Sequence, residues 1–293
     1  MENLESKILT TTATPGYELL DSGESGKLER YGDVVIARPD PQALWSKSRS
    51  QADWDKAQAY FAHEAVNAAW QKLEGLPDRW VVEFGGLKFW LKLSPFKHTG
   101  LFPEQESNWR WLRETIEKAP KPFKVLNLFG YTGAASLACV QAGAEVTHVD
   151  ASKSAVTWTK DNAELSGLDE KPLRYITEDA RSFVKRELKR GVLYDGLIMD
   201  PPAFGRGAKQ EVWKIEADFL PLWQDCQKIL APDCRLVLLN GYAAGYSPLM
   251  LSHNLSVMTE KFGGELEFGE LTIQESGALK RLLPAGIFAR WRN

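Results

Sequence analysis

Val125-Leu126-Asn127-Leu128-Phe129-Gly130-Tyr131-Thr132-Gly133 decides the fold: an apolar run empties into a glycine turn, and a helix, Ala134 to Gln141, follows until Gly143 stops it. Glycine lets a backbone approach a ligand closely and take dihedrals that other residues avoid. Alone, the turn reads equally well as a tight strand-to-helix connection without a ligand. Its Gly-x-x-Gly spacing is not a full G-x-G-x-x-G, which favours a small cationic cofactor over a pyrophosphate. Downstream the same alternation repeats, with strands predicted at Val125 to Leu128, Glu145 to Asp150, Leu173 to Thr177, Gly196 to Met199 and Arg235 to Asn240. Helices fill the gaps, among them Ile215 to Leu230, stopped by Pro232. Such strands form a parallel sheet covered on both faces, which binds ligands at the carboxyl ends of its strands. A helix at Pro248 to Lys261 and two last strands, Leu266 to Gln274 and Gly286 to Trp291, then close the sheet as a hairpin.

Each predicted strand end carries a polar turn. Asp150, with Ala151 and Ser152 behind it, ends the second strand, where a carboxylate accepts hydrogen bonds from a ribose hydroxyl pair. Together with the glycine turn it selects an adenosine ligand. Glu178-Asp179-Ala180 follows the third strand, beside the expected adenine; Asp179 is equally a helix N-cap. The fourth strand runs into Asp200-Pro201-Pro202-Ala203-Phe204. Its prolines stiffen the turn and remove N–H donors, leaving an acceptor-rich edge, and Phe204 offers a face for stacking.

These four elements, in this order, resemble a class I S-adenosylmethionine-dependent methyltransferase, and the Asp-Pro-Pro-x-Phe form resembles enzymes that methylate bases of large-subunit ribosomal RNA. Lys97-His98-Thr99-Gly100-Leu101-Phe102-Pro103-Glu104-Gln105 is similar to a run that precedes the cofactor domain in cytosine-C5 enzymes of that group. The resemblance covers roughly Leu87 to Asn240. It implies an α/β, Rossmann-like sheet, mostly parallel with an antiparallel last strand, and S-adenosylmethionine as cofactor. By it, Phe102 and Gln105 help close a cofactor pocket formed by Asn127, the turn Phe129 to Gly133 (with Tyr131 and Thr132 between the glycines), Asp150 to Ser152, Glu178 to Ala180 and Asp200. Asp200, Pro201, Pro202 and Phe204 become the catalytic turn. One departure bears on chemistry. The C5 enzymes add a cysteine thiolate to the ring from a position after the fifth strand, and here that stretch, Leu238 to Gly245, contains no cysteine. Transfer to nitrogen or oxygen needs no covalent step, so nitrogen is favoured over carbon 5. RNA is the expected partner; a protein or small-molecule acceptor, or a nucleotide-binding module without turnover, are the alternatives.

Composition sets the frame. The chain has 293 residues, 44% hydrophobic and 26% charged, with a formal net charge of -3, so it is no polycation and any nucleic-acid contact must be local. Candidates for that contact are Arg206 and Lys209, just past the catalytic turn, with Asn240 and Tyr242 reaching the same cavity. The basic runs Arg181 to Arg190 and Lys118 to Lys124 read equally as solvated faces. Three cysteines at no metal-ligand spacing, and the absence of a long apolar stretch or signal-like start, point to a cytoplasmic protein without structural metal or membrane contact. Residues 1–96 are expected to form a smaller β-rich accessory region with one helix, Trp54 to Leu73, and residues 97–293 the methyltransferase domain. Seven of the eleven tryptophans precede residue 112 and read as core filling, with base stacking as the alternative.

Overall fold

The structure, a computed structural model, describes residues 5–62, 69–95, 97–207, 211–242 and 245–293. The chain divides into two compact units, one of residues 1–8, 108–270 and 286–293, the other of residues 9–107 and 271–285. The early elements are β1 (Lys7–Thr11), β2 (Tyr17–Gly23), β3 (Gly26–Tyr31), β4 (Val34–Pro39), α1 (Gln51–Trp54), β5 (Ala59–Ala62), β6 (Ala69–Lys72), β7 (Trp80–Phe84) and β8 (Leu87–Leu91). Strands β2 to β6 form one sheet in sequence order; β7 and β8 pair separately across the turn Gly85-Gly86.

The helix expected from Trp54 to Leu73 is not what forms. Among the described residues of this stretch only Trp54, the last residue of α1, is helical; Ala59 and Phe61 are buried, Tyr60 is exposed, and this alternation pairs with β4 at Ile36↔Ala59 and Ala37↔Tyr60. A sheet partner overrode the local helical spacing. Residues 63–68 lie outside the described residues. The tryptophans did fill core: Trp54, Trp80, Trp109 and Trp111 are buried and Trp45, Trp70 and Trp90 half-buried.

Glu29 lies at the centre of this unit. It accepts from Arg38 Nη2 at 3.1 Å, from Tyr17 OH at 2.8 Å and from Tyr31 OH at 3.2 Å. Burial alone would raise its pKa, but the Arg38 guanidinium, Lys27 and these hydrogen bonds override it and hold the carboxyl at about 2. A depressed carboxyl contributes stability above its unfolded value of 4.5, and loses it as the pH falls toward about 2. That interval corresponds to roughly 3 kcal/mol. Glu29→Gln should therefore destabilise this unit by about that amount at pH 7 and flatten its acid unfolding between pH 4.5 and 2, as followed by denaturant titration at each pH. Residues 271–285 join the same unit through Arg281, which donates to Asp21 at 3.0 Å and to Glu275 at 2.8 Å.

The other unit holds the elements that position the site. They are α2 (Glu106–Lys118), β9 (Lys124–Leu128), α3 (Ala134–Gln141), β10 (Glu145–Asp150), α4 (Lys153–Leu165), β11 (Leu173–Thr177), α5 (Ala180–Arg190), β12 (Gly196–Met199), β13 (Phe204–Arg206), β14 (Val212–Lys214), α6 (Ile215–Gln227), β15 (Leu236–Gly241), α7 (Pro248–Phe262), β16 (Glu265–Gln274) and β17 (Leu282–Arg292). Eight strands make the main sheet, in the order β1-β16-β17-β15-β12-β9-β10-β11. Strands β9 to β12 and β15 run parallel, and β17 is antiparallel to β15, as the tail predicted. Every residue of β12 and β15 is buried, the mark of a parallel sheet covered on both faces. From β9 the chain first builds outward through β10 to β11, then returns to place β12 on the other side of β9. The switch point in strand order therefore lies between β9 and β12, which is where such sheets bind ligands. Among the described residues no helix is long and apolar enough to cross a membrane.

Candidate active site

The turn after β9 is wound tightly. Phe129 and Tyr131 take positive φ (59° and 49°), and Gly133 at 89° caps α3 in the left-handed region. Gly130 is required for space: a Cβ there would come within 2.3 Å of the His148 ring. The backbone is held by Gly130 N donating to Val149 O at 3.1 Å and by Gly133 N donating to Gly130 O at 3.0 Å.

Beneath the turn lies a buried polar chain that the sequence reading missed. Asn127 Nδ2 donates to Ser136 Oγ (2.8 Å), which pairs with His148 Nδ1 (3.0 Å). His148 Nε2 pairs with Thr159 Oγ1 at 3.2 Å, and that hydroxyl contacts Tyr131 O at 2.8 Å, while Asn162 Nδ2 donates to Thr132 O at 3.0 Å. His148 is 0% exposed, and burial drops its pKa to about 4, so at neutral pH it is an uncharged hydrogen-bonding brace. The signal available in the sequence was a histidine and an asparagine inside otherwise apolar strands. Asn127, expected at the cofactor, enters this chain through Ser136.

Asp150 ends β10 beside this turn. One of its oxygens accepts from Tyr131 N at 2.9 Å, the other from Ser152 N at 2.7 Å. Burial raises its pKa and the two backbone donors pull against that rise. A carboxylate offers about four acceptor positions. Two are occupied by backbone, so one on each oxygen is left for a pair of ribose hydroxyls, and the residues present fit an adenosyl group. Ser152 caps α4, its Oγ accepting from Ala155 N at 3.3 Å, and Ala151 lies between the two.

Glu178 N donates to Asp150 O at 3.1 Å, which places the turn after β11 next to Asp150. Asp179 caps α5, accepting from Ser182 N at 3.1 Å, and forms a two-pronged pair with Arg181 (Nε 3.2 Å, Nη2 2.9 Å). Glu178 pairs with Arg186, and Ala180 is buried in the first turn of α5. Arg181 is also tied to Asp218 at 2.7 Å, so this arginine and Arg186 serve the fold rather than an open basic face. Lys121 likewise donates to Ile116 O and Ala142 O.

Asp200 follows β12, its N–H directed to Leu128 O at 3.4 Å, so the Asp-Pro-Pro turn leaves the sheet beside the glycine turn. Pro201 is buried; Pro202 and Phe204, 54% exposed, are open. Phe204 and Arg206 then form β13, paired with β14. Arg206 is exposed, and Lys209 lies outside the described residues. Asn240 is 3% exposed near the end of β15, its Oδ1 accepting from Asn108 Nδ2 at 3.2 Å; Tyr242 is exposed just beyond. Phe102 and Gln105 belong to the other unit, where Gln105 is buried and Phe102 lies against the His98 ring, centroids 5.3 Å apart. A cleft of about 340 Å³ is lined by Asp179, Arg181, Asp218 and Asp225 among others, none of them from the glycine turn.

Strand order, glycine turn, ribose-type carboxylate and Asp-Pro-Pro turn define a class I nucleotide-cofactor sheet closed by an antiparallel hairpin. Comparison with known proteins agrees. The sequence model of the S-adenosylmethionine-dependent methyltransferase family matches residues 16–254. The crystal structure of an S-adenosylmethionine-dependent methyltransferase from Agrobacterium tumefaciens superimposes with a TM-score of 0.91 at 39% identity, covering 99% of this chain and 95% of that one. The ribosomal RNA large subunit methyltransferase K/L of Shewanella baltica is 29% identical over 218 residues, 72% of this chain and 28% of that protein. The ribosomal RNA large subunit methyltransferase K of Neisseria meningitidis is 31% identical over 226 residues, 72% of this chain and 61% of that protein. The chain thus spans less than two thirds of the length of these curated relatives. The protein belongs to the S-adenosylmethionine-dependent methyltransferase family, and S-adenosylmethionine is its cofactor.

Proposed function

We propose that this enzyme methylates a base of ribosomal RNA in the cytoplasm, transferring the methyl group to nitrogen rather than to carbon 5. The observation that carries the reading is the Asp200-Pro201-Pro202 turn beside the glycine turn at the switch point, in a chain whose three thiols are all buried. Burial pushes Cys139 and Cys226 well up and Cys234 up to about 12, so none supplies the thiolate that carbon-5 chemistry needs. The names of the Shewanella and Neisseria relatives favour ribosomal RNA.

When bound, the cofactor supplies an electrophilic methyl group on a sulfonium. Asp150 would hold its ribose, and the turn from Phe129 to Gly133 would admit the rest of the ligand against backbone. The Asp200 carboxylate and the Pro201 carbonyl would accept the N–H groups of an acceptor amine and so orient its lone pair toward the methyl group. As the N–C bond forms, the displaced proton passes to solvent. Alignment supplies most of the acceleration, because it removes the entropic cost of bringing two reactants together. Phe204 stacks on the target base, and Arg206 and Lys209 meet neighbouring phosphates.

Labelled methyl transfer into extracts of cells lacking the protein tests this: label is expected in large-subunit RNA, and in N-methylated nucleosides after digestion. Label confined to protein or metabolites would replace the acceptor. Changing Cys139, Cys226 and Cys234 together to alanine should leave the transfer rate within about twofold of the parent, since no thiolate takes part; loss of transfer by folded triple variant would return the chemistry to carbon 5.

A further inference from the structure

Proline turns pose a mechanical difficulty. Pro201 and Pro202 lack N–H groups, so beyond the Asp200 N–H, which is directed to Leu128 O, the proline pair itself can be gripped through its backbone only at its carbonyls. The structure shows such a grip. The Trp213 indole Nε1–H donates to Pro202 O at 2.6 Å. Trp213 lies on β14, opposite Gly205, and its neighbours Val212 and Lys214 are exposed, so strand alternation sends it alone inward, where it is 4% exposed. Its ring packs on Phe129, the first residue of the glycine turn, with centroids 4.9 Å apart and planes at 58°.

Trp213 is itself braced. Arg181 Nη1 donates to Val212 O at 3.1 Å, and its guanidinium carbon lies 5.8 Å from the indole centroid. Arg181 is in turn locked by Asp179 and Asp218. Ile215 N donates to Ala203 O at 3.1 Å, closing the ribbon on the catalytic turn. One indole therefore ties together the turns after β9 and β12, and through Arg181 the turn after β11. A residue that served only to fill space would need the ring but not the directed N–H.

We infer that Trp213 is a positioning residue for methyl transfer, setting the distance between the cofactor turn and the acceptor turn. The inference rests on the proposed role of the Asp200 turn. Pro202 O is taken by the indole, so the acceptor role proposed above rests on the Pro201 carbonyl and the Asp200 carboxylate rather than on Pro202.

The test compares W213F, which keeps an aromatic ring against Phe129 but removes the donor, with benzothienylalanine at the same position, which keeps the indole outline and replaces N–H by sulfur. Transfer is measured into unfractionated extract of cells lacking the protein, so the readout does not depend on which class of molecule accepts the methyl group. Both replacements should lower kcat about ten- to a hundredfold, the scale of a misplaced reacting group. The dissociation constant for S-adenosylmethionine should stay within about threefold, because both replacements keep an aromatic ring against Phe129 and leave the backbone bonds of the glycine turn and Asp150 in place. Parental turnover in both replacements, with Asp200→Ala inactive, would overturn the inference and leave the function standing. A fall in rate matched by an equal fall in cofactor affinity would also overturn it, reducing Trp213 to packing. Full activity of Asp200→Ala as well would remove the proposed turn chemistry and the inference with it.

Discussion

Asp200→Ala is expected to lower methyl transfer by about a thousandfold or more while the dissociation constant for S-adenosylmethionine changes by less than about threefold. The separation follows from the architecture. On the proposed reading the cofactor is met by the turn after β9 and by Asp150, both fixed by backbone hydrogen bonds of their own: Gly130 to Val149, Tyr131 and Ser152 to Asp150. Asp200 stands on the next strand, joined to this assembly through its N–H to Leu128 O, a contact that alanine keeps. What alanine removes is the carboxylate proposed to orient the acceptor. Asp200→Asn refines the result: the amide can still accept one N–H but presents a donor where the second acceptor stood, so an intermediate loss is expected. Calorimetric titration with cofactor and initial rates of label transfer measure the two quantities. Parental turnover in Asp200→Ala would sink the assignment of this turn to the acceptor.

The parts of this site legible in the sequence were those whose cause is local. Gly196 to Met199 is a short apolar run and Glu145 to Asp150 a β-branched one, each ended by a polar turn, and their strands form with the predicted bounds because both faces of a parallel strand are buried. Gly143 and Gly133 mark the ends of α3 for reasons of backbone alone. Where a nonlocal partner decides, the reading failed. The stretch from Ala57 carries apolar residues at spacings that suit a helix, yet the open edge of β4 took Ala59–Ala62 as a strand, with Gln58 N–H reaching Val35 O. The ribbon of β13 and β14 is three residues a side, too short to announce itself, and the directed bond from Trp213 to Pro202 exists only once that ribbon has folded back. His148 illustrates the same limit. Its neighbours Ser136, Thr159 and, through Ser136, Asn127 come from three other elements, so nothing within β10 reveals that the imidazole braces a turn.

Gly133→Ala should damage both stability and cofactor binding, and a second glycine provides its control. Gly133 has φ +89° and Gly75, in the other unit, has φ +88°, so an alanine meets nearly the same backbone strain at either, about 1 to 2 kcal/mol. Their surroundings differ. A Cβ at Gly75 meets nothing within 4 Å, whereas at Gly133 it would come within 2.2 Å of Thr159 Cγ2. Thr159 cannot turn aside cheaply, since its hydroxyl contacts Tyr131 O, Ala155 O and His148 Nε2. Overpacking of this kind adds about 1 to 3 kcal/mol. The total for Gly133→Ala is thus roughly 2 to 5 kcal/mol, against about 1 to 2 for Gly75→Ala. The excess has a functional signature too. If Thr159 yields, it releases the carbonyl of Tyr131, whose own N–H holds Asp150, so cofactor affinity should fall by at least about tenfold in Gly133→Ala and stay at the parental value in Gly75→Ala. Denaturant unfolding and cofactor titration of the two variants read both effects. A Gly133→Ala protein that bound cofactor as the parent does, and lost no more stability than Gly75→Ala, would show that the polar chain through Thr159 and His148 does not hold the turn.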